Sequence, residues 1–216
     1  MNSFLRKLFA FLFPVRCVTC REENFWICPP CVKRLPSAHK PDADWIISVW
    51  SYKDRGLKRL LWLLKFKRKF DVARDLGPAL YDHLLDELTE RGLFENFEAG
   101  TLVPIPLGRA RLRKRGYNQS AILARELAKR SNGSLHVEEN ILQKINDGAP
   151  QNSIKNRRAR FQNIVGAFTA KNAPRIAGKN FIIIDDITTT HATLLEARKV
   201  LKKAGAKKVL AFTVAH

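Results

Sequence analysis

Phe181-Ile182-Ile183-Ile184-Asp185-Asp186-Ile187-Thr188-Thr189-Thr190 reads as a buried strand, then two carboxylates, then a run of hydroxyls, with an amphipathic helix after them. The apolar run is too short for a helix core, and its residues are β-branched or aromatic. Two adjacent acids at the end of a buried strand are costly unless they emerge at a sheet edge beside a partner. In the next helix, Leu194, Ala197, Leu201 and Ala204 form an apolar stripe, and Gly205 supplies the stop. Hydroxyls at a helix N-terminus join free backbone N–H groups and the positive end of the dipole, which makes a phosphate cradle. Acids just before it suit sugar hydroxyls or a hard cation. An ordinary strand–turn–helix with polar turn residues is the plain alternative. The acid pair and the hydroxyl run, together and in this order, argue against it.

Working outward, strands alternate with helices. Trp45 to Tyr52 reads as a strand, and Leu57, Leu60, Leu61 and Leu64 mark a helix face. Asp71 to Arg91 is helical in pattern, with Gly77-Pro78 expected to break or kink it. Thr101 to Ile105 reads as a strand, Asn118 to Lys129 as a helix with Leu123 and Leu127 inward, and Leu135 to Val137 as a short strand. Strand 180–184, helix 190–204 and strand 207–214 close the chain. This alternation predicts an α/β fold with a doubly wound, mainly parallel sheet. Such sheets take ligands at the carboxyl ends of their strands.

All four cysteines lie close together, as Cys17-x-x-Cys20 and Cys28-x-x-Cys31. Paired CxxC knuckles read as a tetrahedral zinc site, here with a loop, Arg21 to Ile27, shorter than that of zinc ribbons. Four sulfur ligands leave no position for substrate, so the zinc would be structural. Two disulfides in a secreted chain, or a redox CxxC, are the other readings; the second does not need two pairs. Pro29, Pro30, Pro36 and Pro41 punctuate the segment from Cys28 to Asp42, which predicts a small zinc module over 1–42 and a main domain over 43–216.

The first residues, Met1 to Pro14, have an uninterrupted apolar stretch only from Leu8 to Phe13 and no small-residue cleavage site after it. That is short for a signal peptide and fits an amphipathic helix that docks on the protein or grazes a membrane. Nothing in the sequence approaches the length of a membrane-spanning helix. The expected location is the cytoplasm, or the inner face of the membrane.

The chain has 216 residues and a formal net charge of +19, with a pI near 10.2. Such a charge favours polyanions: nucleic acid, anionic membranes or phosphorylated substrates. The basic residues cluster as Lys65, Lys67, Arg68 and Lys69, as Arg109 to Arg115, and as Lys155, Arg157, Arg158 and Arg160. The middle cluster reads as a basic loop between the turn Pro104-Ile105-Pro106 and a helix start at Gly116-Tyr117-Asn118-Gln119; a plain solvated loop is the alternative. Pyrophosphate or a nucleic-acid backbone would relieve the self-repulsion of such a run, and arginine grips either bidentately. Trp62, Phe66, Phe70, Tyr117 and Phe161 sit beside these clusters, as a single-strand stacking surface requires, although helical spacing places Trp62 and Phe66 in the core.

The opening segment, with Asp185-Asp186-Ile187-Thr188-Thr189-Thr190-His191-Ala192-Thr193, resembles the phosphoribosyl loop of type I phosphoribosyltransferases. That family carries Asp-Asp–apolar–x–Thr-Thr-Gly-x-Thr there, and this chain has His191 where the family has glycine. Leu12-Phe13-Pro14, the paired CxxC, Pro104-Ile105-Pro106-Leu107, Arg115-Gly116-Tyr117-Asn118-Gln119-Ser120, the Gln151 to Phe168 segment and this loop together resemble the ComF family nearly end to end. The resemblance implies a four-cysteine zinc module joined to a phosphoribosyltransferase-like domain. It implies a bacterial cytoplasmic protein linked to DNA uptake in natural transformation.

Two functions stand as expectations. In the first, phosphoribosyl pyrophosphate binds with Mg²⁺: Asp185 and Asp186 hold the ribose hydroxyls and help place the cation. Thr188, Thr189, Thr190 and Thr193 bind the 5′-phosphate, and Arg109 and Arg115 neutralise the pyrophosphate. No residue presents itself as the acceptor base, so the acceptor of a transferase reaction is unassigned. In the second, the protein binds single-stranded DNA within an uptake machinery, alongside a helicase or recombination proteins, and the sugar-phosphate site is degenerate. His191 adds a Cβ and an imidazole where glycine would let backbone approach phosphate, and is expected to weaken binding without abolishing it.

Overall fold

The computed structural model describes residues 14–39, 43–95, 100–145 and 164–216. In chain order, the elements are α1 (Pro29–Val32), β1 (Ile46–Trp50), α2 (Arg55–Phe66), α3 (Asp71–Glu95), β2 (Thr101–Pro104), α4 (Arg109–Arg115), α5 (Gln119–Arg130) and β3 (His136–Val137). They continue with β4 (Leu142–Lys144), β5 (Phe168–Ala170), α6 (Ala173–Ile176), β6 (Asn180–Ile187), α7 (Ala192–Lys203) and β7 (Lys208–Ala215). Five strands make one parallel sheet in the order β1-β7-β6-β2-β3, and β4 and β5 pair separately as an antiparallel hairpin. This is the α/β, mainly parallel architecture expected, with the four cysteines clustered at the N-terminal end.

The near-continuous apolar runs of β6 and β7 have a direct cause: the sheet is covered on both faces. Ile182 and Ile184 of β6 enter one core with Leu102, Leu210 and Phe212, roofed by α2, α3 and α5. Phe181 and Ile183, one residue out of phase, enter the other core with Val103, Val209 and Ala211, beneath α7 and the β4–β5 hairpin. The helix after β2 and the helix after β6 therefore lie on opposite faces. The winding reverses between these two adjacent strands, and a crevice forms outside their carboxyl ends. Asp185, Asp186 and the hydroxyl run after them lie at the carboxyl end of β6, at this crevice.

The cysteine segment shares the first core. Cys17, Ile27, Cys28, Cys31 and Val32 are buried among Leu57, Leu60, Leu76 and Leu80. The Trp26 N–H donates to the Asp75 carboxylate on α3 at 2.6 Å, which ties the segment to the main helix. The division at residue 42 falls on residues outside those described, as do the N-terminal stretch 1–13 and the basic cluster of Lys155, Arg157, Arg158, Arg160 and Phe161.

Three expectations change. Gly77-Pro78 does not end α3, which runs unbroken from Asp71 to Glu95 with Pro78 inside it. Proline removes the N–H that would bond the carbonyl of Arg74, and the Arg130 guanidinium of α5 donates to that carbonyl instead, at 3.1 Å. Gly77 supplies the close approach: a Cβ there would lie 2.6 Å from Arg130 Nε. Residues 109–115 are a short helix rather than a loop, closed by Gly116 at φ 79° in the left-handed region. Its last turn, Arg113, Lys114 and Arg115, lies where the helix dipole favours cations. Strand β6 extends to Ile187, so Asp185 and Asp186 lie inside the ladder, with Asp185 opposite Thr213.

Candidate functional site

Successive residues of a strand face opposite sides. Asp186 follows Ile184 in phase, towards the face covered by α2, where the Lys65 ammonium meets its Oδ2 at 2.8 Å. The pair is well covered: the Asp186 side chain is 4% exposed and that of Lys65 22%. Asp185 is partly buried. Its Oδ1 accepts the Ser120 hydroxyl at 2.9 Å and the N–H of Asp186 at 2.9 Å. Burial, and then the neighbouring Asp186 charge, push the Asp185 carboxyl up from 3.8 to about 7, against the pull of Lys65 and Ser120.

The hydroxyl run curls from β6 into α7. Thr188 is buried, and its N–H donates to the carbonyl of Ala215 at 3.0 Å. Thr189 is exposed, and Thr190 and Thr193 are half-buried. His191 is the N-cap of α7 and has φ 57°. This is the left-handed conformation that glycine adopts without strain, so the histidine stands at the position where backbone geometry favours glycine. Its ring packs against His216 with centroids 4.9 Å apart.

The segment Arg115-Gly116-Tyr117-Asn118-Gln119-Ser120 builds the opposite wall, each residue with its own task. Asn118 caps α5 by accepting from Ser120 N–H at 3.0 Å, and its amide donates to the Ile105 carbonyl at 2.9 Å, closing the intervening excursion. Tyr117 O–H donates to the Leu64 carbonyl at the end of α2, at 2.5 Å. Gly116 is favoured by its φ of 79°, and it leaves room for the Arg68 guanidinium, 2.6 Å from where a Cβ would lie. Arg115 donates to Gln119, while its guanidinium carbon lies 5.1 Å from the centre of the Phe66 ring. Arg109 opens α4 and is exposed. The structure thus brings Asp185, Asp186, Ser120 and Lys65 into direct contact, with Arg115 two steps away through Gln119. Ser120 and Gln119 were legible only as helix-start residues, and Lys65 only as one member of a basic run; no periodicity points a lysine at an acid so far along the chain.

The aromatic expectation is corrected in part. Trp62 is 47% exposed, Phe66 59% and Phe70 44%, so none of the three is a core residue. The buried stripe of α2 is Leu57, Leu60, Leu61, Leu63 and Leu64, and Trp62 and Phe66 flank it on the open side. Their rings are 6.2 Å apart, Lys67 lies over Trp62 at 5.3 Å, and Phe70 meets Tyr117 edge-on at 4.8 Å. Arg68 donates to the Arg115 carbonyl at 3.4 Å, which joins the two described basic clusters into one surface. That surface reaches the crevice wall through Arg115, which lies over Phe66 and donates to Gln119 beside Ser120.

The sulfur atoms of Cys17, Cys20, Cys28 and Cys31 all lie within 4.8 Å of one another. Four thiolates at this separation suit one tetrahedral ion such as zinc. Burial pushes the Cys17 thiol up, but N–H groups of Cys20, Cys28 and Thr19 aimed at its sulfur bring it down to about 6. Burial and the surrounding thiols push Cys31 up to about 12. Such a cluster holds all four sulfurs as thiolates together only with a cation at its centre. No helix among the described residues is long and apolar enough to cross a membrane.

No family model matches the chain. Among curated proteins it is similar to Competence protein F of Haemophilus influenzae, 28% identical over 191 residues, 88% of this chain and 78% of that one. It is similar to DNA utilization protein YhgH of Escherichia coli K12, 28% identical over 206 residues, 89% of this chain and 85% of that one. Competence protein ComFC of Bacillus subtilis matches over a shorter stretch, 37% identical over 114 residues, 52% of this chain and 43% of that one.

Proposed function

We propose, from the ComF-family assignment that these relatives support, that the protein binds phosphoribosyl pyrophosphate and supports DNA uptake in competence. The names of the relatives carry the second half of this reading. One observation supports the first: at the switch point of the sheet, an adjacent acid pair and a hydroxyl-rich helix start face a wall that ends in Arg115. Asp185 and Asp186 would accept from the ribose hydroxyls. Thr188, Thr189, Thr190 and Thr193 would take the 5′-phosphate with the first N–H groups of α7. Arg115, and Arg109 across the opening, would meet the pyrophosphate and stabilise the charge that develops as it leaves. Mg²⁺ would enter on the pyrophosphate oxygens. Zinc would sit among Cys17, Cys20, Cys28 and Cys31 as a structural ion.

A second reading rests on a separate observation, the exposed aromatics of α2 set among basic side chains. This surface fits single-stranded DNA, with bases stacked on Trp62 and Phe66 and phosphates on Lys67, Arg68 and α4. The two readings are compatible, since the surfaces adjoin. The place of action would be the cytoplasm or the inner face of the membrane, beside helicase or recombination proteins that handle the incoming strand. Calorimetric titration with phosphoribosyl pyrophosphate and Mg²⁺ tests the first reading. Saturable binding that Asp185→Asn with Asp186→Asn abolishes is expected; its absence would leave the DNA-binding role with a degenerate sugar-phosphate site.

A further inference from the structure

The acid pair differs in one respect from a site that recruits its own metal: a cation is already there. Lys65 comes from the last turn of α2 and meets Asp186 Oδ2 at 2.8 Å, in a place where that carboxylate is 4% exposed. The lysine is held in position. Leu61 and Leu64 anchor the helix in the core, Tyr117 bonds the Leu64 carbonyl, and Arg115 lies over the next residue, Phe66.

Magnesium requires about six oxygens at near 2.0 Å and gives up its water reluctantly. Asp186, 3% exposed, has no solvent around it for such a shell. Asp185 already accepts two hydrogen bonds at Oδ1. Removing Lys65 would leave a buried carboxylate uncompensated, beside a second carboxyl, in the path of an anionic ligand. A carboxylate has about four lone-pair sites, so acceptors remain for sugar hydroxyls on the partly buried Asp185, whose two hydrogen bonds both use Oδ1.

We propose that the Lys65 ammonium occupies the cation position of the Asp185–Asp186 pair, so that a pentose 5-phosphate binds at this site with no divalent cation on the carboxylates. The lysine is a positioning residue: it neutralises the buried Asp186 and leaves Asp185, the less buried carboxyl of the pair, to meet the sugar. The proposal rests on the sugar-phosphate reading of the crevice, and its test has two arms so that the two ideas fail separately.

The first arm titrates ribose 5-phosphate, which has no pyrophosphate to carry a metal, into the protein in Mg²⁺-free buffer and again with Mg²⁺. No chelator is used, which spares the four-cysteine site. Equal affinity in the two buffers is expected. Lys65→Met should bind about tenfold or more weakly without Mg²⁺, because the Asp186 charge is then unopposed, and recover in part when Mg²⁺ is added. Lys65→Arg should stay independent of Mg²⁺. The second arm needs no sugar: free Mn²⁺ is followed by electron paramagnetic resonance as protein is added. The unmodified protein should show no Mn²⁺ binding that Asp186→Asn removes, and Lys65→Met should gain a Mn²⁺ site that the added Asp186→Asn change abolishes. Failure of ribose 5-phosphate to bind in either buffer would overturn the sugar-phosphate reading. A Mn²⁺ site in the unmodified protein that depends on Asp186, or Mg²⁺-dependent sugar-phosphate binding in it, would overturn the role of Lys65. Should Lys65→Met fail to fold, the measurements on the unmodified protein and Lys65→Arg still decide.

Discussion

Replacing Trp62 or Phe66 with alanine should weaken single-stranded DNA binding while leaving the fold nearly intact, and the structure sets the scale of both effects. The two side chains are 47% and 59% exposed, so their truncation opens only part of the cavity that costs about 3–5 kcal/mol at a core phenylalanine or tryptophan. A base stacked on an aromatic ring contributes about 1–3 kcal/mol, so each change should raise Kd by roughly 5- to 150-fold. Fluorescence anisotropy with labelled oligo-dT, repeated across a salt series, separates stacking from charge. Trp62→Ala and Phe66→Ala should shift the affinity at every salt concentration and leave the slope of log K against log salt unchanged. Arg113→Gln with Lys114→Gln should flatten the slope, by about 0.7 for each phosphate no longer neutralised. Lys199→Gln with Lys203→Gln, on the opposite face of the sheet, should change it less. If the aromatic variants bind like the parent and both basic pairs flatten the slope equally, the binding is diffuse attraction to a chain of net charge +19, and the stacking surface is refuted.

Asp185 holds its proton more tightly folded, up to about 7, than at its ordinary 3.8. Its contribution to stability is therefore fully present below about pH 4 and is lost as the pH rises through about 7. Asp185→Asn keeps the acceptor for Ser120 and should remove this slope; a parent-minus-variant stability difference that stays flat from acid to neutral pH would refute the buried carboxyl. His191→Gly removes a left-handed non-glycine residue, a cost of about 1–2 kcal/mol, and should preserve or strengthen sugar-phosphate binding by calorimetry. A marked weakening would make the imidazole a ligand contact. Elemental analysis should find about one zinc per chain, and Cys31→Ser should lower Tm of the whole protein, because the cysteine segment lies in the main core. Arg130→Met should cost about 0.5–1.5 kcal/mol, the net contribution of a typical hydrogen bond, because the Arg74 carbonyl loses its side-chain donor. Pro78→Ala should restore more stability in that background than in the parent, and equal gains in a double-mutant cycle would show that Arg130 does not compensate for the proline.

Much of this was written locally. The run Phe181–Ile184, the stripe Leu57–Leu64 and the cap Asn118 specify their elements because strand and helix periods need only near neighbours. The CxxC pairs specify their cluster for the same reason, and the order of acids, hydroxyls and apolar stripe gives the crevice loop its chemistry. Where local rules failed, a distant residue had intervened. Pro78 stays inside a helix because Arg130 reaches its stranded carbonyl. Residues 109–115, five of seven of them basic, form a helix between Gly108 and Gly116, and Arg68, from far earlier in the chain, meets its last carbonyl. Trp62 and Phe66 remain outside because periodicity tells which residues share a helix face and not how wide a face the neighbouring helix and sheet will cover. The partner of Asp186 belongs to the same class. Lys65 was visible as one charge in a basic run. Only the packing of α2 over the end of β6 makes it the counter-ion of a buried carboxylate, because a charge pair is set by separation in space and by the water excluded around it.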